Sequence, residues 1–381
     1  MAVEVQDIFV QYGPAYQQTH SLTREQRQVL EALQTCRTAA LGGHVDVCDT
    51  CGVLQISYNS CRNRHCPKCQ ALRQARWVAA RTEDLLNVGY FHVVFTLPEA
   101  LHPVALQNPR VVYGLLFRAA ADTLTELAAD PTYLGARIGM TAVLHTWGQN
   151  LMYHPHLHVI VPGGGLTPTG TWQPSRKKFF LPVKVLSRVF RGKFLAYLQE
   201  AQLEFHGAVE ALRDPGAFAA WLTPLYAKEW VVYCKPPFAN ARRVVAYLGR
   251  YTHRVAISNA RILRLEAGQV TFRWRDYRDG NRQKERTVSA EEFIRRFLLH
   301  VLPPGLTRIR HYGFLLLSPR NKPTQLKQCQ RLTRTLPPTD VPRTTLELLQ
   351  QLLGRDVTVC LACGVGHLRR LRASPADLLT A

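Results

Sequence analysis

Six of the ten cysteines lie between Cys36 and Cys69, interleaved with histidines, and this cluster constrains the fold more than any apolar pattern in the 381 residues. Thiols crowded in this way, outside a short secreted chain, point to bound metal and not to disulfides. In order, the candidate ligands pair as Cys36 with His44, Cys48 with Cys51, Cys61 with His65, and Cys66 with Cys69. A two-residue gap lets both sulfurs of a turn reach one ion, and tetrahedral zinc takes four such ligands. The double Cys-x-x-Cys pattern predicts a closed, structural zinc site of Cys48, Cys51, Cys66 and Cys69. Cys36, His44, Cys61 and His65 are left for a second, interleaved zinc site. A further motif, Cys360-Leu-Ala-Cys363 followed by His367, lacks an obvious fourth ligand; Cys329 is one candidate, and a solvent-exposed turn is the other reading.

Charge indicates what such a module holds. Lys and Arg number 48 against 27 Asp and Glu, a net charge of +21 that repels itself unless a polyanion lies against it. Nucleic acid is the expected partner, chiefly through arginine, whose planar fork suits phosphate oxygens. Arg62, Arg64 and Lys68 sit among the cysteines, placed to grip DNA, and His44 and His65 have DNA contact or turn capping as alternatives to zinc. Residues 70–88 predict a basic helix with Arg73, Arg76 and Arg81 available to phosphate. No apolar run approaches the roughly 20 residues of a membrane span, and the opening MAVEVQDIFVQYG lacks the basic-then-apolar pattern of a leader. A cytoplasmic protein, nucleoid-associated when on DNA, is the expectation.

Periodicity changes along the chain. Residues 21–35 begin with Ser and Thr and space Val29, Leu30 and Leu33 for a short helix. From Tyr90 the runs turn short and β-rich, at 91–97, 141–147 and 156–161, with a helical stretch at about 109–129. This β–α–β–β order predicts an α+β architecture, a sheet with helices packed on one face. The segment 163–229 reads as an insertion, after which 230–234 re-enters the sheet and a helix follows from about Asn240 to Thr252. Residues 260–277 form alternating strands about an Ala-Gly turn, with a helix near 289–301. The last 60 residues hold several prolines and a Leu-rich helix near 344–353.

Two constellations carry chemistry. His156 and His158, in HPHLHVIV, share one face of a strand because strand side chains alternate. Two imidazoles projecting together form a divalent-metal platform, and a neighbouring strand must supply the third ligand. His145 on the preceding strand is the first choice and Gln149 the second. Tyr247 and Tyr251 stand four apart, one helical turn from each other, with Val244 and Leu248 on the same face. Arg242, Arg243, Arg250 and Arg254, expected to bind DNA, surround the pair with positive charge, and a phenol of intrinsic pKa about 10 needs such help to attack near neutral pH.

With both motifs in hand, the sequence resembles the HUH transposases of the insertion-sequence-ninety-one family, two-tyrosine rolling-circle enzymes. The His-hydrophobic-His signature is His156-Leu157-His158, the paired tyrosines are those of AYLGRYTHR, and the zinc module resembles residues 36–70. His145 precedes His156 by a spacing similar to that of the three-histidine sites of conjugative relaxases, which share the HUH fold. The resemblance implies an antiparallel sheet with the histidines on a central strand and the tyrosine helix across it. It also implies magnesium or manganese at the catalytic site, a 5′-phosphotyrosine intermediate, and single-stranded DNA, transposon ends and target DNA as partners. The expected organisation is a zinc-binding recognition domain at 1–82, a catalytic domain at 83–320 and a tail at 321–381. Rival readings are a plasmid or phage replication initiator, a relaxase, and a non-catalytic zinc-dependent nucleic-acid-binding protein.

Overall fold

The computed structural model describes residues 3–176, 180–238, 244, 247, 249, 251–277, 279–315, 322–338, 341–342 and 344–371. Among these residues the central sheet has five antiparallel strands: β3 (Tyr90–Thr96), β4 (Met140–Trp147), β5 (Tyr153–Pro162), β8 (Val232–Phe238) and β12 (Ile309–Tyr312). Their order is β12-β4-β5-β3-β8, which places the histidine strand β5 in the middle. Strict alternation divides the sheet into two faces. Phe91, Val93, Phe95, Ala142, Leu144, Leu157, Val159 and Val161 point to the main core. His92, His145, His156 and His158 take the intervening positions, with His145 directly opposite His156 in the ladder.

The core face is covered by α5 (Pro109–Ala129) and α6 (Val183–Gln199). The first has Pro at its opening turn, where a missing N–H costs nothing. The second brings Leu186, Phe190, Phe194, Leu195 and Leu198, all fully buried. Each such side chain contributes about 1.5–3 kcal/mol on leaving water. The segment 163–229, expected as an insertion, is therefore built into the layer that covers the sheet.

A second core lies elsewhere. The helices α1 (Val5–Thr19) and α2 (Arg24–Thr35) pack with the helix Ala290–Leu298 and the strands β9 (Ile262–Glu266) and β10 (Gln269–Asp276). The second of these begins with a reciprocal cap between Thr23 and Gln26, as its sequence suggests. The Ala-Gly turn joining β9 to β10 has φ of 47° at Ala267 and 74° at Gly268, the double left-handed geometry that suits hairpin twist.

The cysteine region forms β1 (Gly43–Cys48) and β2 (Leu54–Tyr58) and leads into α3 (Gln70–Thr82). A third strand joins that small sheet from far along the chain: β13 (Leu368–Arg370) pairs antiparallel with Asp46–Cys48. Part of the tail expected at 321–381 thus packs on the N-terminal module: Leu368–Arg370 pairs with β1 and the helix Thr345–Leu353 lies against α3. Packing likewise crosses the boundary expected at residue 82, since α1 and α2 share their core with residues 256–298.

Candidate catalytic centre and cysteine clusters

On the face away from the main core, ring nitrogens of His145, His156 and His158 come within 4.8 Å of one another. The Nε2 atoms of His156 and His158 are 3.1 Å apart. Neighbouring ligands of an octahedral ion at about 2.1 Å are separated by about 3 Å, so this spacing fits one divalent cation. The opposite ring nitrogens are already engaged. His156 Nδ1 donates to the His154 carbonyl at 2.7 Å, and His145 Nε2 donates to the Tyr251 carbonyl at 2.7 Å. His158 Nδ1 lies 2.8 Å from Nε2 of His92. Metal-binding imidazoles are commonly oriented in this way through their second nitrogen. Burial holds His145 and His158 well below the ordinary imidazole range and His156 at about 4, so all three are neutral with a lone pair to offer. The Arg254 guanidinium nearby pushes each in the same direction.

Tyr251 stands over two of these rings, with Tyr247 beside it. The Tyr251 ring is 4.4 Å from His158 and 5.8 Å from His145, and Tyr247 is 4.6 Å from Tyr251. The helical turn beneath them is held by Val244, buried against Tyr90 and Ile160. Arg242, Arg243 and Arg250 lie outside the described residues. Gln149, the alternative third ligand, gives its side-chain amide to the Tyr277 hydroxyl at 3.0 Å.

Sequence reasoning missed His92. Its Nδ1 lies 3.0 Å from the Tyr247 hydroxyl while Nε2 meets His158, so it bridges a candidate ligand and a candidate nucleophile. The available signal was a lone polar residue alternating with Phe91 and Val93 in an otherwise apolar strand.

The sulfurs assemble differently from expectation. Cys36, Cys61, Cys66 and Cys69 form one cluster, with Cys36 and Cys61 each 3.6 Å from Cys69 and Cys66 3.6 Å from Cys36. A tetrahedron of sulfurs at about 2.3 Å from zinc has edges of about 3.8 Å, which this set matches. Cys48 and Cys51 meet Cys360 and Cys363 instead. The proposed grouping of Cys48 and Cys51 with Cys66 and Cys69 is thereby corrected, because β1 carries the former pair away toward β13. His44 and His65 belong to neither cluster. His44 Nε2 sits 3.5 Å from Asp46, and His65 is buried, held at about 3, with its Nε2 accepting from the Leu302 amide at 3.5 Å. Cys329 is buried with Leu86, Leu166, Phe314 and Leu326, and His367 packs its Nδ1 near Thr358.

Of the three cations placed among the cysteines and expected to grip DNA, two are drawn into the fold. Arg64 donates to the carbonyls of Leu306, Leu302 and Pro303 at 2.7–3.2 Å, tying the cysteine loop to the catalytic unit. Lys68 pairs with Glu4 and Gln6 at the start of α1. Arg62 remains exposed. Of the arginines on the following helix, Arg76 bonds Thr345 and Arg81 pairs with Asp84.

An antiparallel sheet with His-hydrophobic-His on its central strand, overlaid by a tyrosine-bearing helix, defines the HUH endonuclease-type fold. The family model "Transposase zinc-binding domain" matches residues 8–97, and the model "Putative transposase" matches residues 139–322. "Putative transposase y4qJ" of Sinorhizobium fredii is 54% identical over 375 residues, spanning 96% of this chain and 94% of that protein. The transposase for insertion sequence element IS801 of Pseudomonas savastanoi pv. phaseolicola is 29% identical, over 76% of this chain and 70% of its own. A solved conjugative relaxase, TrwC in complex with oriT DNA, aligns at 12% identity and a TM-score of 0.25, over 42% of this chain and 71% of its own. The chain belongs to the insertion-sequence-ninety-one family of transposases, DNA-binding and DNA-cleaving enzymes with a zinc-binding domain. No helix among the described residues is long and apolar enough to cross a membrane.

Proposed function

We propose that this transposase cleaves single-stranded DNA at transposon ends through Tyr247 and Tyr251 and passes each cleaved 5′ end to a new 3′-hydroxyl in rolling-circle transposition. The observation that carries the reading is the Tyr251 ring set 4.4 Å from His158 and 5.8 Å from His145, with Tyr247 4.6 Å beside it, next to three neutral, converging imidazoles. His145, His156 and His158 would hold magnesium or manganese, which when bound polarises a non-bridging phosphate oxygen and offsets charge gained in the transition state.

The remaining steps belong to the chain. Tyrosine Oη attacks phosphorus in line as it gives up its proton, and the bond to the 3′-oxygen breaks. The leaving oxygen takes a proton and becomes a 3′-hydroxyl, while the 5′-phosphate stays on tyrosine. Attack by a different 3′-hydroxyl reverses these events and joins strands without an external energy source. With Nε2 of His158 turned to the ion, its Nδ1–H donates to Nε2 of His92. His92 then carries its own proton on Nδ1 and donates it to the Tyr247 oxygen, favouring the phenolate. Arg254 adds positive charge beside the same site. Cys36, Cys61, Cys66 and Cys69 would hold a structural zinc in the module that recognises the ends, with Arg62 exposed for phosphate.

Incubation with a single-stranded end oligonucleotide and magnesium should give a denaturant-resistant adduct that mass spectrometry maps to Tyr247 or Tyr251. Tyr247→Phe and Tyr251→Phe keep the rings and the fold. Each should abolish complete transposition, and at least one should still nick an isolated oligonucleotide. The double variant should form no adduct, and an adduct on another residue would overturn the assignment.

A further inference from the structure

We propose that Cys48, Cys51, Cys360 and Cys363 bind a second zinc ion, which clamps residues 357–371 onto the N-terminal sheet. The matched zinc-binding domain ends at residue 97, so half of these ligands come from far outside it. The Cys48 and Cys363 sulfurs are 3.7 Å apart and those of Cys51 and Cys360 are 3.8 Å apart, across 315 and 309 residues of sequence. Those separations match the tetrahedral edge of about 3.8 Å that zinc thiolates require.

The surroundings are built for such an ion. Each cysteine pair is followed by glycine, as Cys48-Asp-Thr-Cys51-Gly52 and Cys360-Leu-Ala-Cys363-Gly364. Gly52 donates to the Cys48 carbonyl at 3.1 Å and Gly364 to that of Cys360 at 2.9 Å, with φ of 71° and 73°. The two halves are therefore copies of one turn, presented face to face. Backbone N–H groups of Thr50 and Cys51 reach Cys48 Sγ at 3.5 Å, and Gly366 reaches Cys363 Sγ at 3.3 Å, so donors stabilise thiolate charge. Gly366 passes so close that a Cβ there would run into Cys48 Sγ. Beside the site the Asp49 N–H donates to the His367 carbonyl at 3.0 Å and the His367 N–H donates to the Asp49 carboxylate at 2.8 Å, and the pairing of β13 continues as far as Leu371, whose N–H donates to the Val45 carbonyl. Little apolar surface holds this segment: Leu361 and Val365 are exposed, and of residues 357–371 Cys360 is the one buried side chain, with Gly366 buried beside it. A strand this short and polar needs another anchor, and a four-thiolate ion supplies one.

The test counts zinc on the purified full-length chain by native mass spectrometry and elemental analysis. Wild type should carry two ions, and the Cys360→Ser/Cys363→Ser double variant one. Limited proteolysis should then cut the double variant within 354–371 at least tenfold faster, while its thermal transition for the remainder changes little. Gly366→Ala, which removes no ligand but drives a Cβ against Cys48 Sγ, should also lose one zinc. Cys61→Ser should lose an ion without exposing 354–371, which separates the two sites. Two ions in the double variant, a single ion in wild type, iron in place of zinc, or a Cys48–Cys363 disulfide in intact mass would each overturn the proposal.

Discussion

At the scale of single residues, the candidate catalytic face is set by positions two apart on a strand. His156 and His158 were legible in the sequence because alternation alone puts them together. His145 followed from the neighbouring strand, and the ladder indeed sets it opposite His156. His92 was not legible, since only the pairing of β3 with β5, a contact across 66 residues, brings its ring to His158. Its position leads to a prediction. His92→Phe keeps the ring volume under Tyr247 but removes both nitrogens, so cleavage should fall about 10- to 100-fold, as for other residues that orient metal ligands. The informative comparison uses single-tyrosine backgrounds. Adduct formation through Tyr247 should fall more than through Tyr251, because only Tyr247 receives the His92 hydrogen bond. Equal losses would show that His92 acts through His158 alone.

Elements show where local reading fails. The hairpin at 262–276, the helix at 109–129 and the capped helix at 24–35 lie close to their sequence expectations because turn chemistry and capping are local. The grouping of cysteines is not local. Nearness in sequence favoured joining Cys48 and Cys51 to Cys66 and Cys69, yet β1 points the first pair toward residues more than 300 positions away. The shared Cys-x-x-Cys-Gly form of the two turns was the signal that could have matched them. Arginines are similarly ambiguous, since exposure and carbonyl capping look alike in sequence. Arg64→Met should lower stability by about 1.5–3 kcal/mol through loss of charge-assisted bonds to the 302–306 loop, measured by chemical denaturation. Arg62→Ala should leave stability unchanged while reducing the salt dependence of single-stranded DNA binding by about 0.7 in logarithmic slope. The reverse pattern would exchange their roles.

Across the whole molecule, two cores meet where β4 turns into β5, and buried His300 sits at that seam. Its Nε2 donates to the Leu151 carbonyl at 3.1 Å, and its ring stands edge-on to Trp147. Burial pushes its pKa down to about 4. The unfolded chain takes up this proton near pH 6.5, so between 6.5 and 4 the unfolded state holds more protons and stability rises with pH. The contribution is constant above 6.5, declines as the pH falls through this window, and reaches a loss of about 3 kcal/mol near pH 4. His300→Gln retains an N–H for Leu151 and cannot titrate there. Denaturation midpoints should therefore show a shallower acid slope for the variant between pH 6.5 and 4, and parallel slopes would exclude His300 as the source.

The pairing of β13 with β1 also fixes an order of events during synthesis. The five strands of the central sheet have all been synthesised once Tyr312 is made, and domains generally fold as units during synthesis. The sheet that begins at Gly43 must wait for Leu368 before its third strand exists. The N-terminal sheet, whose first two strands precede those of the nuclease sheet in the chain, is thus completed only after them.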